Sequence, residues 1–277
     1  MLIGNTISTR EFRRFQELVH AEAGIALSDQ KRALLVGRLS PRLRALDLAS
    51  FDAYLEHVER DHTELVRMID SICTNETQFF REPKQFAYLE NELLPAWRAA
   101  AEAGERTKQV RVWSAACSTG EEPYSLAMTL LAHLPSWSIE IVATDLSTKV
   151  LDRAASGIWP IERAAQIPLH YRKAYMLRGS GPQEGKMAAK PELSSIIRFA
   201  RVNLNHETYA VGGRFDLIFC RNVLIYFDAP SKRKVVDRLL GRLEPGGLLF
   251  LGHSESLTQH ERVRPAGPTI YALRDGR

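Results

Sequence analysis

The 277-residue sequence has few cysteines and no long apolar segment. Its three cysteines, Cys73, Cys117 and Cys220, lie far apart and form no C-x-x-C pair, which excludes a disulfide framework and a standard zinc site. The longest apolar runs, such as residues 248–251, have the length of a strand, whereas a membrane helix needs about 18 apolar residues. The N-terminus lacks the positively charged start and apolar stretch of a secretory signal. We therefore expect a cytoplasmic protein with no direct membrane insertion.

A large charge excess is also absent, since 37 basic residues face 33 acidic ones and the net charge is +4. This mild excess permits an acidic partner but does not indicate nucleic acid. The eight histidines show no metal-binding spacing, so we expect no metal. With 25% charged and 45% hydrophobic residues, the composition is that of an ordinary folded protein with one large or two smaller domains.

Residues 1–80 have the apolar spacing of a small helical domain. The second predicted helix covers residues 28–46, where Pro41 either ends it or opens the next helix. The excess of basic residues on this helix indicates either a solvated face or a docking surface for an acidic partner. Its basic residues, against the single acid Asp29, are Lys31, Arg32, Arg38, Arg42 and Arg44.

A different pattern begins near Val110, where strand-like apolar segments alternate with helical ones. This alternation predicts an α/β domain over residues 110–277 with a mostly parallel sheet, whose ligands bind at the carboxyl ends of the strands. Residues 160–200 interrupt it with a glycine-rich stretch between two strand-like segments, the second being SSIIRFARV. We predict a small inserted antiparallel β-subdomain there. Residues 81–109 are predicted to link the two domains and to contribute to a ligand site.

The first segment that indicates chemistry is VWSAACSTGEEPYSLAM, a strand that runs through small residues into a helix. The small residues and Gly120 let the backbone approach a ligand closely. Glu121 and Glu122 stand in the first turn of the helix, where a phosphate site would offer bare backbone N–H groups. A cationic ligand fits better, and S-adenosylmethionine carries a sulfonium and an ammonium group. The alternative is that the two carboxylates only start the helix.

Two later strands also end in polar residues. Asp145 closes the strand IEIVATD roughly 25 residues after Gly120, where nucleoside-binding folds place an acid on the ribose hydroxyls. Alternatively, Asp145 caps the next helix. The strand FDLIFC is followed by Arg221, Asn222 and Tyr226, which should lie at the same edge of the sheet.

The segment SICTNETQFFREP lies between the two predicted domains. It contributes Asn75, Thr77 and Arg81, whose side chains are rich in hydrogen-bonding groups. These side chains cover a ligand, or the segment forms a helix capping box of Thr74 with Thr77 and Gln78, and the spacing leaves both interpretations open.

Taken in order, these segments resemble those of the CheR-type chemotaxis receptor methyltransferases. The shared segments are TNETQFFRE, VWSAACSTGEEPYSLAM, ATDLS, FDLIFCRNVLIYFD and LEPGGLLFLGHSES, and the likeness covers nearly the whole chain. The resemblance implies a small all-α N-terminal domain and a Rossmann-like class I methyltransferase domain with the inserted antiparallel β-subdomain. It also implies methyl transfer from S-adenosylmethionine to glutamate side chains of methyl-accepting chemoreceptors, which gives glutamyl methyl esters for sensory adaptation.

The resemblance assigns roles to residues at matching positions. Arg81 and Tyr226 fall where the family places groups near the transferring methyl, and they are predicted to be catalytic. His253 follows a strand end in the segment GHSES, where packing or loop hydrogen bonding is the favoured role. One departure from the wider class is the first turn, in which Gly120 is the single glycine. Cofactor contacts are implied for Asn75, Thr77, Arg81, Gly120, Glu122, Asp145, Asn203, Leu204, Arg221 and Asn222.

Two partner contacts are implied in the same way. The basic residues of the second helix would dock on the helical bundle of a chemoreceptor, which is rich in glutamate. In part of the family the inserted subdomain binds the receptor's C-terminal tail peptide as an added strand, and Gly179 and Gly181 resemble the glycine-bearing loop of those members. The alternative is a subdomain that only shapes the wall of the site.

The implied reaction needs no general base, because a glutamate side chain with a pKa near ~4.3 is already ionised at pH 7. The leaving thioether is neutral and needs no acid, so the enzyme has to align the reactants and exclude water. The alternative function is a sensor or scaffold that binds S-adenosylmethionine without methyl transfer. A nucleic-acid methyltransferase is disfavoured, since the chain lacks both a Pro-Cys dipeptide and an Asp/Asn-Pro-Pro-Tyr run.

Overall fold

The computed structural model describes residues 6–258 and 260–274 of the chain. A helical bundle is followed by a sheet with flanking helices. None of the helices in these ranges is long and apolar enough to cross a membrane. The bundle helices are α1 (Thr9–Ala23), α2 (Arg32–Ala45), α3 (Phe51–Arg60) and α4 (His62–Ile72). The later helices are α5 (Pro83–Tyr88), α6 (Leu94–Glu102), α7 (Glu121–His133), α8 (Thr148–Ser156), α9 (Leu169–Tyr175), α10 (Pro191–Ser194) and α11 (Ala229–Leu240).

The bundle forms because each helix buries one apolar face. On α1 the side chains of Phe12, Phe15 and Val19 recur every three or four residues and are fully buried. The helix begins at a capping box, in which the side chains of Ser8 and Glu11 each accept a hydrogen bond from the other's backbone N–H. The apolar pattern and the cap together fix where this helix begins.

The main sheet has the strand order β6-β2-β1-β7-β8-β10-β9. Neighbouring strands from β6 to β8 run parallel, and β10 is antiparallel to both β8 and β9. The carboxyl ends of the parallel strands meet at one edge, where ligands of such sheets bind. The strands are β1 (Gln109–Ala115), β2 (Ser138–Asp145), β3 (Ile158–Pro160), β4 (Met176–Arg178), β5 (Lys186–Ala189), β6 (Ile197–Arg201), β7 (Phe215–Cys220), β8 (Leu243–Leu251), β9 (Val263–Gly267) and β10 (Ile270–Leu273).

Two predicted elements are corrected by the structure. The segment SSIIRFARV is not part of the inserted subdomain, because its strand β6 pairs in parallel with β2. This pairing buries Ile197 in the main core, which a surface hairpin would leave exposed. The inserted antiparallel sheet has the order β3-β5-β4 and ends at Ala189. Pro41 lies inside α2 at an exposed position, so it neither ends that helix nor opens another.

Residues 81–109 pack as part of the sheet side of the molecule. Phe86 of α5, Leu89 of the following π turn and Leu94 of α6 are buried in the same apolar cluster as Val112 of β1. The predicted linker is therefore anchored in the core. This anchoring holds the polar segment that precedes it against the edge of the sheet.

Candidate active site

A cleft lies where the carboxyl ends of β1, β2 and β7 face the helical bundle. Its empty space is about 1140 Å3, including the open mouth. The bundle side supplies a mostly apolar wall, and the sheet side supplies a polar one. The residues on the bundle side include Ala23, Ile25, Leu27, Lys31, Leu34 and Ile72. The predicted site residues that line the cleft are Asn75, Thr77, Arg81, Glu122, Asp145, Asn203, Leu204, Arg221, Asn222 and Tyr226.

Gly120 is a predicted cofactor contact that does not line the cleft. It precedes α7 with a φ of 96°, a conformation that favours glycine. A Cβ at this position would lie 3.0 Å from the Cβ of Ala154 on α8. Glycine at this position therefore allows the tight turn and the close packing of α7 against α8, and its contact with the cofactor stays a prediction.

Glu122 and Arg221 form an ion pair at the floor of the cleft. Nε of Arg221 donates to Oε2 of Glu122 at 2.6 Å, and the two side chains are 2% and 9% exposed, respectively. The hydroxyl of Ser114 donates to the other carboxylate oxygen at 2.6 Å. Glu122 is thus neutralised within the protein, so a cationic ligand gains less from it than from a free carboxylate.

Arg221 also joins the chain before α5 to the sheet. Its Nη1 donates to the backbone oxygen of Arg81 at 2.5 Å and to Oε1 of Gln85 at 3.2 Å. Nε2 of Gln85 donates in turn to the backbone oxygen of Leu251 at 2.7 Å and to Oγ1 of Thr269 at 2.9 Å. A buried polar network with this many partners is rigid, and it fixes the backbone of Arg81 beside the cleft.

Asp145 ends β2 with its carboxylate turned towards backbone amides. Oδ2 accepts from the N–H of Ser118 at 2.8 Å, and Oδ1 accepts from that of Ser147 at 3.0 Å. The hydroxyl of Ser147 caps α8, so the alternative that Asp145 caps this helix is wrong. Burial raises the pKa of Asp145, and the hydrogen bonds from the amides oppose that rise. The carboxylate can accept further hydrogen bonds, as the hydroxyls of a ribose would require.

Asn222 follows β7 with a left-handed φ of 57°. Its Oδ1 is buried and has no hydrogen-bond partner among the residues that the structure describes. A buried acceptor without a partner is costly, and such groups often mark the place of a ligand. The ammonium group of S-adenosylmethionine is a donor of the required kind. Asn222 and Asp145 thus fit this cofactor on chemical grounds.

Asn203 and Leu204 lie in the loop after β6. Nδ2 of Asn203 donates to the backbone oxygen of Glu22 at 2.5 Å, while its Oδ1 accepts from the N–H of Asn205 at 2.9 Å. The amide of Asn203 therefore ties the end of α1 to the sheet. Leu204 is 7% exposed and adds an apolar side chain to the sheet side of the cleft.

Arg81 and Tyr226, the predicted catalytic pair, line the same cleft. Nη1 of Arg81 donates to the backbone oxygen of Glu76 at 3.1 Å, and no carboxylate pairs with Arg81 in the described part of the chain. Nζ of Lys31 lies 5.2 Å from the ring centroid of Tyr226, and the N–H of Ala26 donates to the backbone oxygen of Tyr226 at 2.8 Å. Two cations and a phenol hydroxyl beside one cleft suit an anionic substrate.

Two of the basic residues predicted to dock a receptor have internal partners. Arg42 donates to both carboxylate oxygens of the buried Glu64, at 2.9 and 2.5 Å. Arg38 donates to the backbone oxygens of Ile72 and Cys73 at 2.7 and 2.6 Å and thereby caps α4. Both residues therefore have a structural role within the bundle, and their contact with a receptor stays a prediction. The basic residues of this set that have neither a carboxylate nor a carbonyl partner within the described ranges are Lys31, Arg32 and Arg44.

Gly179 and Gly181 lie in the hairpin that joins β4 and β5. A Cβ on Gly179 would approach the backbone oxygen of Gln183 to 1.9 Å, and Gly181 has a φ of 56°. Both glycines are thus required by the shape of the turn. β4 is an edge strand of the inserted sheet, and edge strands can accept a further strand.

Sequence reasoning missed two residues that hold the loops of the site. The hydroxyl of Ser118 donates to the backbone oxygen of Asn75 at 2.8 Å, which joins the first turn to the polar segment. The buried Glu255 accepts from backbone N–H groups after β7. Ser118 could have been found from the small-residue turn, whereas Glu255 has no signal beyond its place in GHSES. Within the described ranges, no group of three or more His, Cys, Asp or Glu residues could hold a metal ion.

The fold and the site define a class of protein. A parallel sheet, a small-residue turn after β1 and an acid at the end of β2 are the features of an S-adenosylmethionine-dependent methyltransferase of class I. Comparison with known families agrees: residues 10–73 match the CheR methyltransferase all-alpha domain, and residues 75–270 match the CheR methyltransferase SAM binding domain. The chain belongs to the CheR methyltransferase family.

Individual relatives span nearly the whole chain. Chemotaxis protein methyltransferase 2 of Pseudomonas aeruginosa is 41% identical over 268 residues, which cover 95% of this chain and 93% of that protein. The chemotaxis protein methyltransferase of Escherichia coli is 42% identical over 274 residues, with coverages of 96% and 92%. That of Borreliella burgdorferi is 34% identical over 271 residues, with coverages of 96% and 94%. These matches confirm the predicted family, the fold class and the S-adenosylmethionine-dependent methyltransferase activity in chemotaxis.

Proposed function

We propose that this protein methylates glutamate side chains of methyl-accepting chemoreceptors and forms glutamyl methyl esters. The observation that carries the proposal is a single cleft that is lined by Asp145, Asn222 and the cationic Arg81. Asp145 and Asn222 suit the methyl donor, and Arg81 suits an anionic acceptor. When bound, S-adenosylmethionine supplies a methyl group on a positively charged sulfur.

Residues of the cleft would hold this donor at several points. Asp145 would accept hydrogen bonds from the ribose hydroxyls, and Oδ1 of Asn222 would accept one from the ammonium group. Asn75 and Thr77 would contact the donor from the segment before α5. The ion pair of Glu122 with Arg221 would keep the floor of the cleft rigid, and Asn203 and Leu204 would bound the side near the adenine.

The acceptor glutamate is already an anion at pH 7, so the protein has to bind and orient it without removing a proton. The guanidinium of Arg81 would hold or neutralise the carboxylate, because it offers paired N–H donors in one plane. Tyr226 would donate its hydroxyl to a carboxylate oxygen. Both roles remain proposals that substitution at these residues can test.

The chemical identity of the product tests the function. We expect methyl-labelled S-adenosylmethionine and receptor-bearing membranes of the same organism to give labelled protein only when this enzyme is present. Mild base should release the label as volatile methanol, because a carboxyl methyl ester is hydrolysed and an N-methyl group is not. The same membranes without enzyme are the control.

Other outcomes would point to other functions. Label that survives mild base would mean N-methylation and would contradict the proposed ester chemistry. Measurable binding of S-adenosylmethionine with no labelled protein would favour a sensor or scaffold associated with the receptor. In that case the proposed role of Asn222 would still hold, because its partner is the methyl donor and not the receptor.

We also propose that the exposed face of α2 docks on the acidic helical bundle of the receptor. Replacing the exposed Arg44 by glutamate should raise the KM for receptor roughly threefold to tenfold at low salt, because charge reversal turns attraction into repulsion. Affinity for S-adenosylhomocysteine should not change, which titration calorimetry can verify.

A matched control for this variant is Arg60→Glu, which reverses a side chain of α3 that is 80% exposed. It alters the net charge equally on another surface. Equal effects of the two substitutions on KM, or no effect of Arg44→Glu, would contradict docking through α2.

A second contact with the receptor is proposed at the inserted sheet. Its edge strand β4 could receive the C-terminal tail peptide of a receptor as an added strand, next to the hairpin with Gly179 and Gly181. The alternative role, shaping the wall of the site, also stays open. We also propose a cytoplasmic location, where the protein would meet the helical bundle of the receptor.

A further inference from the structure

Glu255 is a buried carboxylate that the function described so far does not use. It lies in the loop after β8, within GHSES, and is 1% exposed. Its Oε2 accepts from the N–H of Asn222 at 2.9 Å and from that of Gly252 at 2.7 Å. Its Oε1 accepts from the N–H of Leu224 at 2.7 Å. Three backbone donors from two loops thus converge on one side chain.

Among the described residues, the hydrogen-bond partners of the Glu255 carboxylate are these three backbone amides. No lysine, arginine or histidine forms a salt bridge with it in the part of the chain that the structure describes. A buried carboxylate without a cation is costly unless its oxygens are well hydrogen-bonded, and bonds from N–H groups to a charged acceptor are the strong kind. These hydrogen bonds therefore hold the backbone around Glu255 in one conformation.

The loop that Glu255 holds carries two proposed site residues. Asn222 has a left-handed φ of 57°, and a Cβ on Gly252 would lie 2.5 Å from Nδ2 of Asn222. The turn that includes Tyr226 follows directly, since its first residue, Leu224, is bonded to Glu255. The loop is thus held on both sides, and it places Asn222 at the cleft, with a buried Oδ1 that has no hydrogen-bond partner among the described residues.

We propose that Glu255 is a positioning residue for methyl transfer: it fixes the loop after β7 so that Asn222 meets the methyl donor and Tyr226 meets the acceptor. The inference rests on the proposed function for the roles of Asn222 and Tyr226. Glu255 itself does not line the cleft, so it acts through the backbone of the loop.

The decisive variant is Glu255→Gln, which keeps the shape of the side chain but replaces one acceptor oxygen by an NH2 group. The affinity for S-adenosylhomocysteine should fall about tenfold or more, as expected when a hydrogen bond to a charged group is lost. The amides of Asn222, Leu224 and Gly252 should exchange with deuterium at least about tenfold faster, for the same reason. Titration calorimetry and hydrogen exchange measure these two effects without a receptor.

The matched control is Glu64→Gln, a carboxylate that is equally buried but lies in the helical bundle, bonded to Arg42 and Tyr54. It should lower the melting temperature without changing the affinity for S-adenosylhomocysteine or the exchange of the loop amides. This control separates a general loss of stability from a specific loss of loop position.

Two results would overturn the inference. The first is a folded Glu255→Gln protein with parental affinity and parental methyl transfer, even if its loop exchanges faster. The second concerns the parent protein and applies even if no variant folds: rapid exchange of these three amides would contradict their bonds to Glu255. The variant Asn222→Ala separates the role of Asn222 in donor binding from the role of Glu255 in holding the loop. Parental affinity in Asn222→Ala would reject the first role. The faster amide exchange expected in Glu255→Gln would still test the second.

Discussion

Replacing Arg221 by methionine should lower the free energy of unfolding by about 3–5 kcal/mol, because the substitution leaves the carboxylate of Glu122 buried and unpaired. With side chains that are 2% and 9% exposed, water cannot take the place of the guanidinium. Affinity for S-adenosylhomocysteine should also fall, by roughly a hundredfold, since Arg221 holds the backbone of Arg81 beside the cleft. Urea denaturation measures the first quantity and titration calorimetry the second.

Two further variants separate stability from binding. The double variant Arg221→Met/Glu122→Gln removes both charges, so most of the lost stability should return while the affinity stays low. Asp145→Asn should also weaken binding, because one of the two acceptor oxygens is replaced by an NH2 group. Its loss of stability should be smaller than that of Arg221→Met, because it leaves no unpaired buried charge, although one hydrogen bond from the amide of Ser118 or Ser147 is lost. An Arg221→Met protein that is as stable as its parent would contradict the importance of this ion pair.

The second large effect is expected at Tyr226, where phenylalanine should lower kcat roughly tenfold to a hundredfold, the value of one hydrogen bond to a charged group. The ring remains, including its face towards Lys31 at 5.2 Å, so the affinity for S-adenosylhomocysteine should stay unchanged. Arg81→Gln should lower kcat to a similar extent and also raise the KM for receptor, because the guanidinium is proposed to bind the substrate carboxylate. Initial rates at saturating donor give both constants.

Tyr88→Phe is the control for this experiment. The ring of Tyr88 packs against Phe250 in the core and does not line the cleft. Its loss of a hydroxyl should leave kcat and KM unchanged. Parental kcat in Tyr226→Phe would remove this hydroxyl from the chemistry, and equal losses in both variants would indicate a general effect on the fold.

The order of helices and strands was predictable because local pattern decides it. Apolar residues every three or four positions, together with the Ser8 cap, define α1, and the apolar segment that begins at Val110 becomes β1. Strand pairing depends on contacts far apart in sequence. SSIIRFARV has the pattern of a strand in either sheet, and only the burial of Ile197 against the main core decides between them.

The site was predictable in composition but less so in the role of each residue. Ligand-facing positions at strand ends follow from the parallel sheet, which brought Asp145 and Asn222 to one cleft. Whether a charged side chain meets a ligand or an internal partner depends on tertiary contacts. Arg42 therefore turned out to pair with Glu64, and the charge of Glu122 turned out to be balanced by Arg221.

The role of Gly120 also depends on tertiary contacts. A glycine in a ligand-binding turn is needed either for close approach of the ligand or for close approach of another helix, and the sequence does not distinguish them. Here the neighbour is Ala154 of α8. Glu255 was missed because its partners are backbone amides, which no side-chain motif records.

The joint between the bundle and the sheet has a consequence for how binding events communicate. Ile25 forms a β-bridge with Phe227, and the amide of Asn203 bonds the last turn of α1, so both parts of the chain wall the cleft. A molecule seated there bridges the joint and opposes its opening. A receptor contact that shifts the bundle should therefore change the affinity for the methyl donor. By reciprocal linkage, the bound donor changes the affinity for the receptor by the same factor.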